Sequence, residues 1–528
     1  MALWLLPVFV LFLWVLYKYG FQNEFFFRDR GVKFIKPLPF FGSSLPFFTN
    51  KENLIDFALK LSKKYRNEKV FGVFDLRTPI LVIQDPELVK YLSIKEFDHF
   101  TDHQILASKD VEPLFSQSLF SLEGQKWREM RATLSPAFTG SKMRLMCDFM
   151  VEICEQMVDY LKTEAKEKGP QTHEVKEFFS RIATDIIGTC AFGIKVDSLK
   201  EKDNKFFTSA KEMFNTTSIT LVFKLVAARV CPLVMKLFGI SIFDEKYRGF
   251  LKDLVLNNMK TRQEKNIIRP DMIHLLIEAQ KGTLENTTSE KDSAGFATAE
   301  ESQTKSVAKK TSWTDDEIVS QCFIFFLAGF DTISTVLTFA AYEIAKNTEV
   351  QEKLYQEAKT FRDELKGRPL KYETVQKMKY LDMIISETLR VWPAVSLIDR
   401  MCTKDFTMEY EPGKKYTFRK GELYWIPIGD FHFNPEYFPD PNKFDPERFS
   451  DENKHLINPN TYLPFGIGPR NCIGSRFALM EVKSLIFYLI INFHFDLSDK
   501  TEDPLILAGS AVGLKARNGV WIKFRPRE

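Results

Sequence analysis

The chain has 528 residues, 45% of them hydrophobic and 50 of them phenylalanine, which provides for an extensive core and a greasy cavity. A net charge of +3 at pH 7 excludes a strongly basic nucleic-acid binder. Seven cysteines, an odd number with no Cys-x-x-Cys pair, exclude a disulfide framework and a zinc site and fit a reducing compartment.

Residues 1–17 form an unbroken apolar run that is just long enough to span a bilayer if it continues to Tyr19. It lacks a positive leading region and a small-x-small cleavage site, so we read an uncleaved single-pass anchor over 1–19. Lys18, Arg28, Arg30, Lys33 and Lys36 follow, against Glu24 and Asp29, and the positive-inside bias places the downstream chain in the cytoplasm. Lys36-Pro37-Leu38-Pro39, with Gly42 beyond, makes 20–45 a stiff extended linker. Residues 46–528 follow, a length that by itself suggests two or more domains.

Residues 70–76 and 80–83 are β-rich runs around Arg77-Thr78-Pro79, a hairpin pattern; most of the chain beyond them reads as helix. Trp127 and Arg131 lie i,i+4 on one helix face, flanked by the basic Lys126 and Arg128. The apolar stretch 219–243 contains Pro232, where a helix must break or kink. Residues 282–312 turn polar, rich in Thr, Ser, Glu and Lys, and read as a flexible surface loop with Phe296 its one large aromatic. Thr314-Asp315-Asp316-Glu317 is a capping box opening a helix to about Lys346, roughly 45 to 50 Å long. Its centre, 322–342, is apolar apart from Asp331 and hydroxyl residues. A transmembrane helix is the competing reading, but Asp331 at mid-bilayer would cost some kilocalories per mole.

Glu387 and Arg390 lie i,i+3 on a helix ending before Pro393, and Arg448 comes later in Pro446-Glu447-Arg448-Phe449. From Pro464 to Gly474 the chain reads Pro-Phe-Gly-Ile-Gly-Pro-Arg-Asn-Cys-Ile-Gly. Glycines there let the backbone pass close to a large planar ligand, and an apolar run of helical spacing begins at Ile473. Cys472 therefore sits at a helix start, where free N–H groups favour a thiolate, a soft ligand for iron. Arg470 is a permanent cation whose planar fork suits a carboxylate, and Phe465 supplies a flat apolar face.

The pattern Phe-x-x-Gly-x-Arg-x-Cys-x-Gly, here Phe465, Gly468, Arg470, Cys472 and Gly474, resembles the haem-binding loop of the cytochrome P450 monooxygenases without departure. Trp127-x-x-x-Arg131, Ala328-Gly329-Phe330-Asp331-Thr332, Glu387-x-x-Arg390 and the segment holding Arg448 resemble the family's other motifs in the same order. The resemblance implies a mainly α fold with small β-sheets, one large catalytic domain over 46–528 and an N-terminal membrane anchor. It implies haem b on Cys472, with Trp127, Arg131, Arg400 and Arg470 at the propionates; His103 stands where many relatives carry an arginine for that purpose.

By the same resemblance Ala328 and Gly329 leave room beside the iron, and Thr332 and Asp331 relay protons. Glu387, Arg390 and Arg448 form a structural cluster, which survives burial only with every partner present. Pocket walls by analogy are Phe115, Leu119, Phe120, Phe323, Phe326, Ala394, Val395, Leu397 and Val512. Residues 219–243 match the second membrane-dipping region, with two ordinary core helices as the competing reading.

The activity implied is insertion of one atom of dioxygen into a lipophilic xenobiotic, lipid or steroid, as in insect detoxification and vertebrate drug-metabolising members. Its electrons come from NADPH through a reductase, with cytochrome b5 a second donor. The place implied is the endoplasmic reticulum membrane. Two rivals are a haem-thiolate isomerase that uses no dioxygen, against which Asp331-Thr332 speaks, and a membrane-anchored lipophile carrier, which has no use for Cys472, Arg470 and Thr332 together.

Overall fold

The computed structural model describes residue 14 and residues 25–528 apart from 50, 214–218, 270, 282–295, 299–312 and 511–512. The expected anchor over 1–19, Val512 and most of the polar loop 282–312 thus lie outside the described residues, Trp14 excepted.

The fold begins with a four-stranded sheet of β1 (Val70–Asp75), β2 (Thr78–Ile83), β3 (Ile398–Met401) and β4 (Leu423–Ile426), in the order β1-β2-β4-β3. β1 and β2 form the expected hairpin, with Asp75 opposite Thr78 and Val70 opposite Ile83. The turn is shorter than the sequence pattern suggests: Leu76 takes a positive φ of 55°, and Pro79 already belongs to β2. β2 runs parallel to β4, so the N-terminal hairpin is joined to a segment more than 300 residues later. Residues 25–45 lie against this sheet rather than running free. Phe27 is fully buried against Phe74, and a Cβ on Gly72 would fall 2.4 Å from the Phe27 ring.

Helices α1 (Gly124–Leu134), α2 (Gly140–Lys168), α3 (Val175–Cys190), α4 (Asp315–Lys346), α5 (Lys379–Val391) and α6 (Ser475–Asn492) build the main body. α4 runs through the centre. Its capping box is formed, with the Glu317 N–H on the Thr314 hydroxyl and the Glu317 carboxylate on the Thr314 N–H. Its most apolar stretch would be long enough to cross a membrane, yet 67% of that window is buried against protein, chiefly α3. It is a core helix. At Cys231 the apolar stretch breaks, and Pro232 opens the next short helix at a position where its missing N–H costs nothing. Phe296, within the polar loop, docks on Phe449 and Tyr462 while its N–H meets Asp382.

Beneath the site, Glu387 and Arg390 on α5 pair through two hydrogen bonds of 2.7 and 2.8 Å, both side chains fully buried. Arg390 also donates to the carbonyls of His432, Pro441 and Lys443, and the Asp445 N–H closes on Glu387. Arg448 stands 3.4 Å from Glu387. Burial pushes the Glu387 carboxyl up, against the Arg390 contact. His432, which no sequence motif marks, is fully buried and sits between the Arg390 carbonyl on Nδ1 and the Leu463 N–H on Nε2. Burial and the Arg390 charge push its pKa down to about 3, so it is neutral and Nε2 accepts.

Removing Arg390 leaves three carbonyls without their donor in the interior and takes from Glu387 the two guanidinium bonds that balance its charge. Arg390→Ala is therefore expected to cost about 3–5 kcal/mol, read as a large drop in the urea midpoint; an unchanged midpoint would show that the cluster adds nothing to stability.

Candidate active site

The loop carrying Cys472 is shaped by two glycines with positive φ, 79° at Gly466 and 73° at Gly468. A Cβ on Gly468 would lie 2.2 Å from the Ser93 carbonyl oxygen, so only glycine fits the pass of loop over backbone. The Cys472 N–H donates to the Phe465 carbonyl at 2.8 Å and the Asn471 N–H to that of Gly468 at 3.0 Å. From α1, Arg131 fastens the loop from above, donating to both the backbone and side-chain oxygens of Asn471 at 2.9 Å. Gly474 caps α6, at a φ of −95° that other residues adopt.

Cys472 is the one cysteine among the seven whose side chain is exposed, and it is exposed to a hollow rather than to the outer surface. The hollow has two lobes of about 310 and 140 Å³ that share Phe325, Ala328, Thr332, Ile333, Cys472, Ile473 and Ala478. Burial pushes the Cys472 thiol up, against the Gly474 N–H and the Arg131 charge, which pull it down. The helix start, expected to favour the thiolate, does not dominate. Burial wins because α6 begins three residues beyond the cysteine, leaving one N–H rather than a whole first turn aimed at sulfur.

Above the loop lies a cluster of cations. Arg470 is buried, donating to the carbonyls of Thr101, Leu119, Phe120 and Leu122 and standing 4.2 Å over the Trp127 ring. Burial and the neighbouring Arg400 push its pKa down to about 9. Arg400 is 1% exposed, donates to the carbonyls of Asp399 and Ile467, and keeps its Nε without a partner. A buried cation with an idle donor asks for an anion. With an accessible thiol on an apolar floor, Arg131 and Arg470 in the wall and Arg400 beside Arg470 without bordering the hollow itself, these residues fit a flat, apolar, metal-bearing group with carboxylates on one edge.

α4 presents three faces, and they do different things. Phe325, Ala328, Gly329, Thr332, Ile333 and Val336, spaced i, i+3, i+4, i+7, i+8 and i+11, line the hollow. Thr332 donates its hydroxyl to the Ala328 carbonyl at 2.6 Å, which leaves its oxygen lone pairs for the hollow. Asp331 does not line it. Its carboxylate meets Lys176 Nζ of α3 at 2.8 Å, and the same ammonium reaches the Asp331 carbonyl, Ser334 and Thr335 at 2.7–2.9 Å. Asp331 borders instead a polar pocket of about 450 Å³ with Glu177, Lys211 and Lys515. Gly329 is constrained by helix packing as well, since a Cβ there would come 3.0 Å from Ile187 of α3.

Of the expected walls, Leu119, Phe120, Ala394 and Val395 line the larger lobe. Phe323 and Phe326 fall on the third face of α4 and pack into the core against Phe243 and Phe206. Phe115 packs on Phe120 and Phe243, and Leu397 lies with Phe71 and Trp425 behind the sheet. Ile398, its neighbour, takes the place in the hollow, together with Ile324, Ile385, Leu389 and Ile428. The expected Trp127, Arg131, Phe465, Arg470 and His103 also border it. Lys126 is exposed, and Arg128 meets Asp98 at 2.5 Å on the outer surface.

Residues 32–522 match the family model described as Cytochrome P450. The chain is 40% identical to "Probable cytochrome P450 9f2" of Drosophila melanogaster over 97% of both chains. It is 38% identical to "Cytochrome P450 9e2" of Blattella germanica, covering 100% of this chain and 98% of that one. To "Cytochrome P450 6k1" of Blattella germanica it is 33% identical, over 94% and 92%. The chain belongs to the cytochrome P450 family, haem b enzymes that place one oxygen atom of O2 into a lipophilic substrate with NADPH electrons delivered by a partner reductase.

Proposed function

We propose that the hollow over Cys472 is the active site, where the Cys472 thiolate would hold the haem iron. The observation that carries this is the single exposed cysteine on the floor shared by both lobes, directly against the Thr332 face of α4. Haem held there supplies the centre that activates dioxygen, and a thiolate ligand donates electron density that favours O–O cleavage. Arg131, Arg400, Arg470 and Trp127 would hold its carboxylates, Arg400 through its idle Nε, and Phe465, Gly468 and Gly474 would let the loop approach it closely. Ala328 and Gly329 keep the opposite side clear.

Thr332 keeps a water on the hollow side of α4 through its lone pairs. Asp331, on the next face of the helix, exchanges protons with the polar pocket that it shares with Lys176. The substrate is a large apolar xenobiotic, lipid or steroid, since the walls are Leu119, Phe120, Ile324, Ala394, Val395 and their like.

Phe223, Leu233, Leu237 and Phe238 are 68–83% exposed on the two short helices around Pro232, an apolar patch of the kind a lipid surface covers. With the apolar run 1–19 it anchors the protein on the endoplasmic reticulum membrane, the body facing the cytosol. Cytochrome b5 serves there as a second electron donor, and Lys126 and Arg128 present charge to an acidic redox partner.

Cys472→Ser replaces an anionic ligand by a neutral hydroxyl. Oxygenation is expected to vanish and the reduced carbon-monoxide complex to lose its thiolate-type Soret band; a surviving band would assign the iron to another cysteine. Thr332→Ala should leave haem content near normal while product falls about 10- to 100-fold, with a smaller loss of NADPH oxidation because water replaces part of the hydroxyl. Peroxide should account for the difference, and unchanged coupling of NADPH to product would make Thr332 a packing residue only. Deleting 1–19 should release part of the protein from membranes with haem retained. Full release would leave the Phe223–Phe238 patch without a membrane role, and haem loss would refute the separation of anchor from body.

A further inference from the structure

His103 is 8% exposed and stands in the wall of the larger lobe. Its ring is stacked on Phe120, with centroids 4.7 Å apart and planes 10° from parallel, which fixes the ring plane. Nδ1 lies 3.0 Å from Asp399 Oδ1, and Asp399 is itself fixed by accepting the Gln104 N–H. Burial raises the Asp399 carboxyl, but the His103 contact and the Gln104 N–H outweigh it and hold the group below the ordinary range. Asp399 is therefore ionised, Nδ1 carries a hydrogen, and the remaining nitrogen, Nε2, has no protein hydrogen bond among the described residues. An oriented, nine-tenths buried ring with one idle nitrogen thus borders the hollow.

The charges around it decide what that nitrogen meets. Arg400 and Asp399 face it from β3, Arg470 from the cysteine loop, and Arg131 from α1 stands behind Arg470. Asp102 and Glu123 lie beyond Arg470, and Tyr424 of β4 beyond Arg400. With nothing bound, burial pushes the His103 pKa down, Asp399 opposes, and the two guanidiniums add to the push. A carboxylate placed beside the unpaired Nε of Arg400 would reverse the balance, since it screens the guanidiniums and gives Nε2–H an acceptor.

We propose that His103, held by Asp399, is a proton-linked contact for one haem carboxylate: Nε2 takes a proton from solvent when haem binds and gives it back as the pH rises. It rests on the assignment of the hollow to haem. The bound state has the higher His103 pKa, so by linkage the contact is complete below the haem-free value, which burial holds under the ordinary histidine range, and is lost as pH climbs through the bound value. A cationic ring beside the carboxylate also favours the more negative, reduced haem, so the midpoint potential falls as the ring deprotonates.

The test uses purified holoprotein between about pH 5.5 and 8.5, comparing the wild type, His103→Gln and Asp399→Asn. Two quantities are read: the midpoint potential of the haem, and the rate of haem transfer to apomyoglobin. In the wild type the potential should fall with rising pH, and haem should leave about tenfold faster at the upper end, the worth of one charge-assisted hydrogen bond. In His103→Gln both profiles should be flat, and in Asp399→Asn the inflection should move to lower pH. Flat profiles in the wild type, or an unchanged slope in His103→Gln, overturn the proposal. So does a His103→Gln variant altered only in its binding spectra with a hydroxylated lipophile, which would turn the ring toward substrate. Should His103→Gln fail to keep haem, an unmoved inflection in Asp399→Asn overturns it alone. The thiolate-type Soret band of each reduced carbon-monoxide complex separates these failures from failure of the haem assignment itself.

Discussion

A backbone crossing with no room for a side chain is the constraint on which the site depends. Gly468 passes so near the Ser93 carbonyl that a methyl group there would overlap it. The crossing ties the loop of Cys472 to the segment beyond β2, while Arg131 ties the same loop to α1 through both oxygens of Asn471. A thiol so held cannot retreat into the core, which is where five of the other six cysteines lie. The hollow is thus kept open by backbone fit and one guanidinium rather than by the shape of its apolar walls.

Holding charges around an apolar cavity is expensive unless each has partners. The molecule meets this in two ways. Arg470 and Arg390 are saturated by backbone carbonyls, four for the first and three beside a carboxylate for the second, so each also pins chain segments distant in sequence. Arg400 and His103 each keep one nitrogen without a protein partner among the described residues; His103 borders the hollow, and Arg400 stands beside Arg470, which borders it too.

Much of this was legible in the chain because it is local. The hairpin, the capping box of α4, the break at Pro232 and the five-position cysteine motif are patterns within a few residues, and each appears in the fold. What was not legible depends on phase and on distant partners. Phe323 and Phe326 share the apolar character of the cavity wall but lie on another stripe of α4. Leu397 is one residue out of phase with Ile398, and in extended chain that turns a side chain to the opposite side. Nothing local to His103 points to Asp399, 296 residues away, and nothing local to residues 25–45 points to the Phe27 ring over Gly72.

Phase also separates Asp331 from Thr332. Neighbours on an α-helix point about 100° apart, and the Asp331 carboxylate falls outside the arc that Ala328, Thr332 and Ile333 turn to the hollow. Asp331, Ser334 and Thr335, at i, i+3 and i+4, form the stripe that Lys176 grips, and Ala328, Thr332 and Ile333 form the stripe beside Cys472. The helix itself is the wall between a polar pocket and an apolar one. Any proton moving from Asp331 to the Thr332 side must therefore pass around or through one turn of α4. The helix accommodates this there: Gly329 has no side chain, and the Ala328 and Asp331 carbonyls already accept from hydroxyls. The apolar lining and the acid with its ammonium partner are thus kept on different faces of one element.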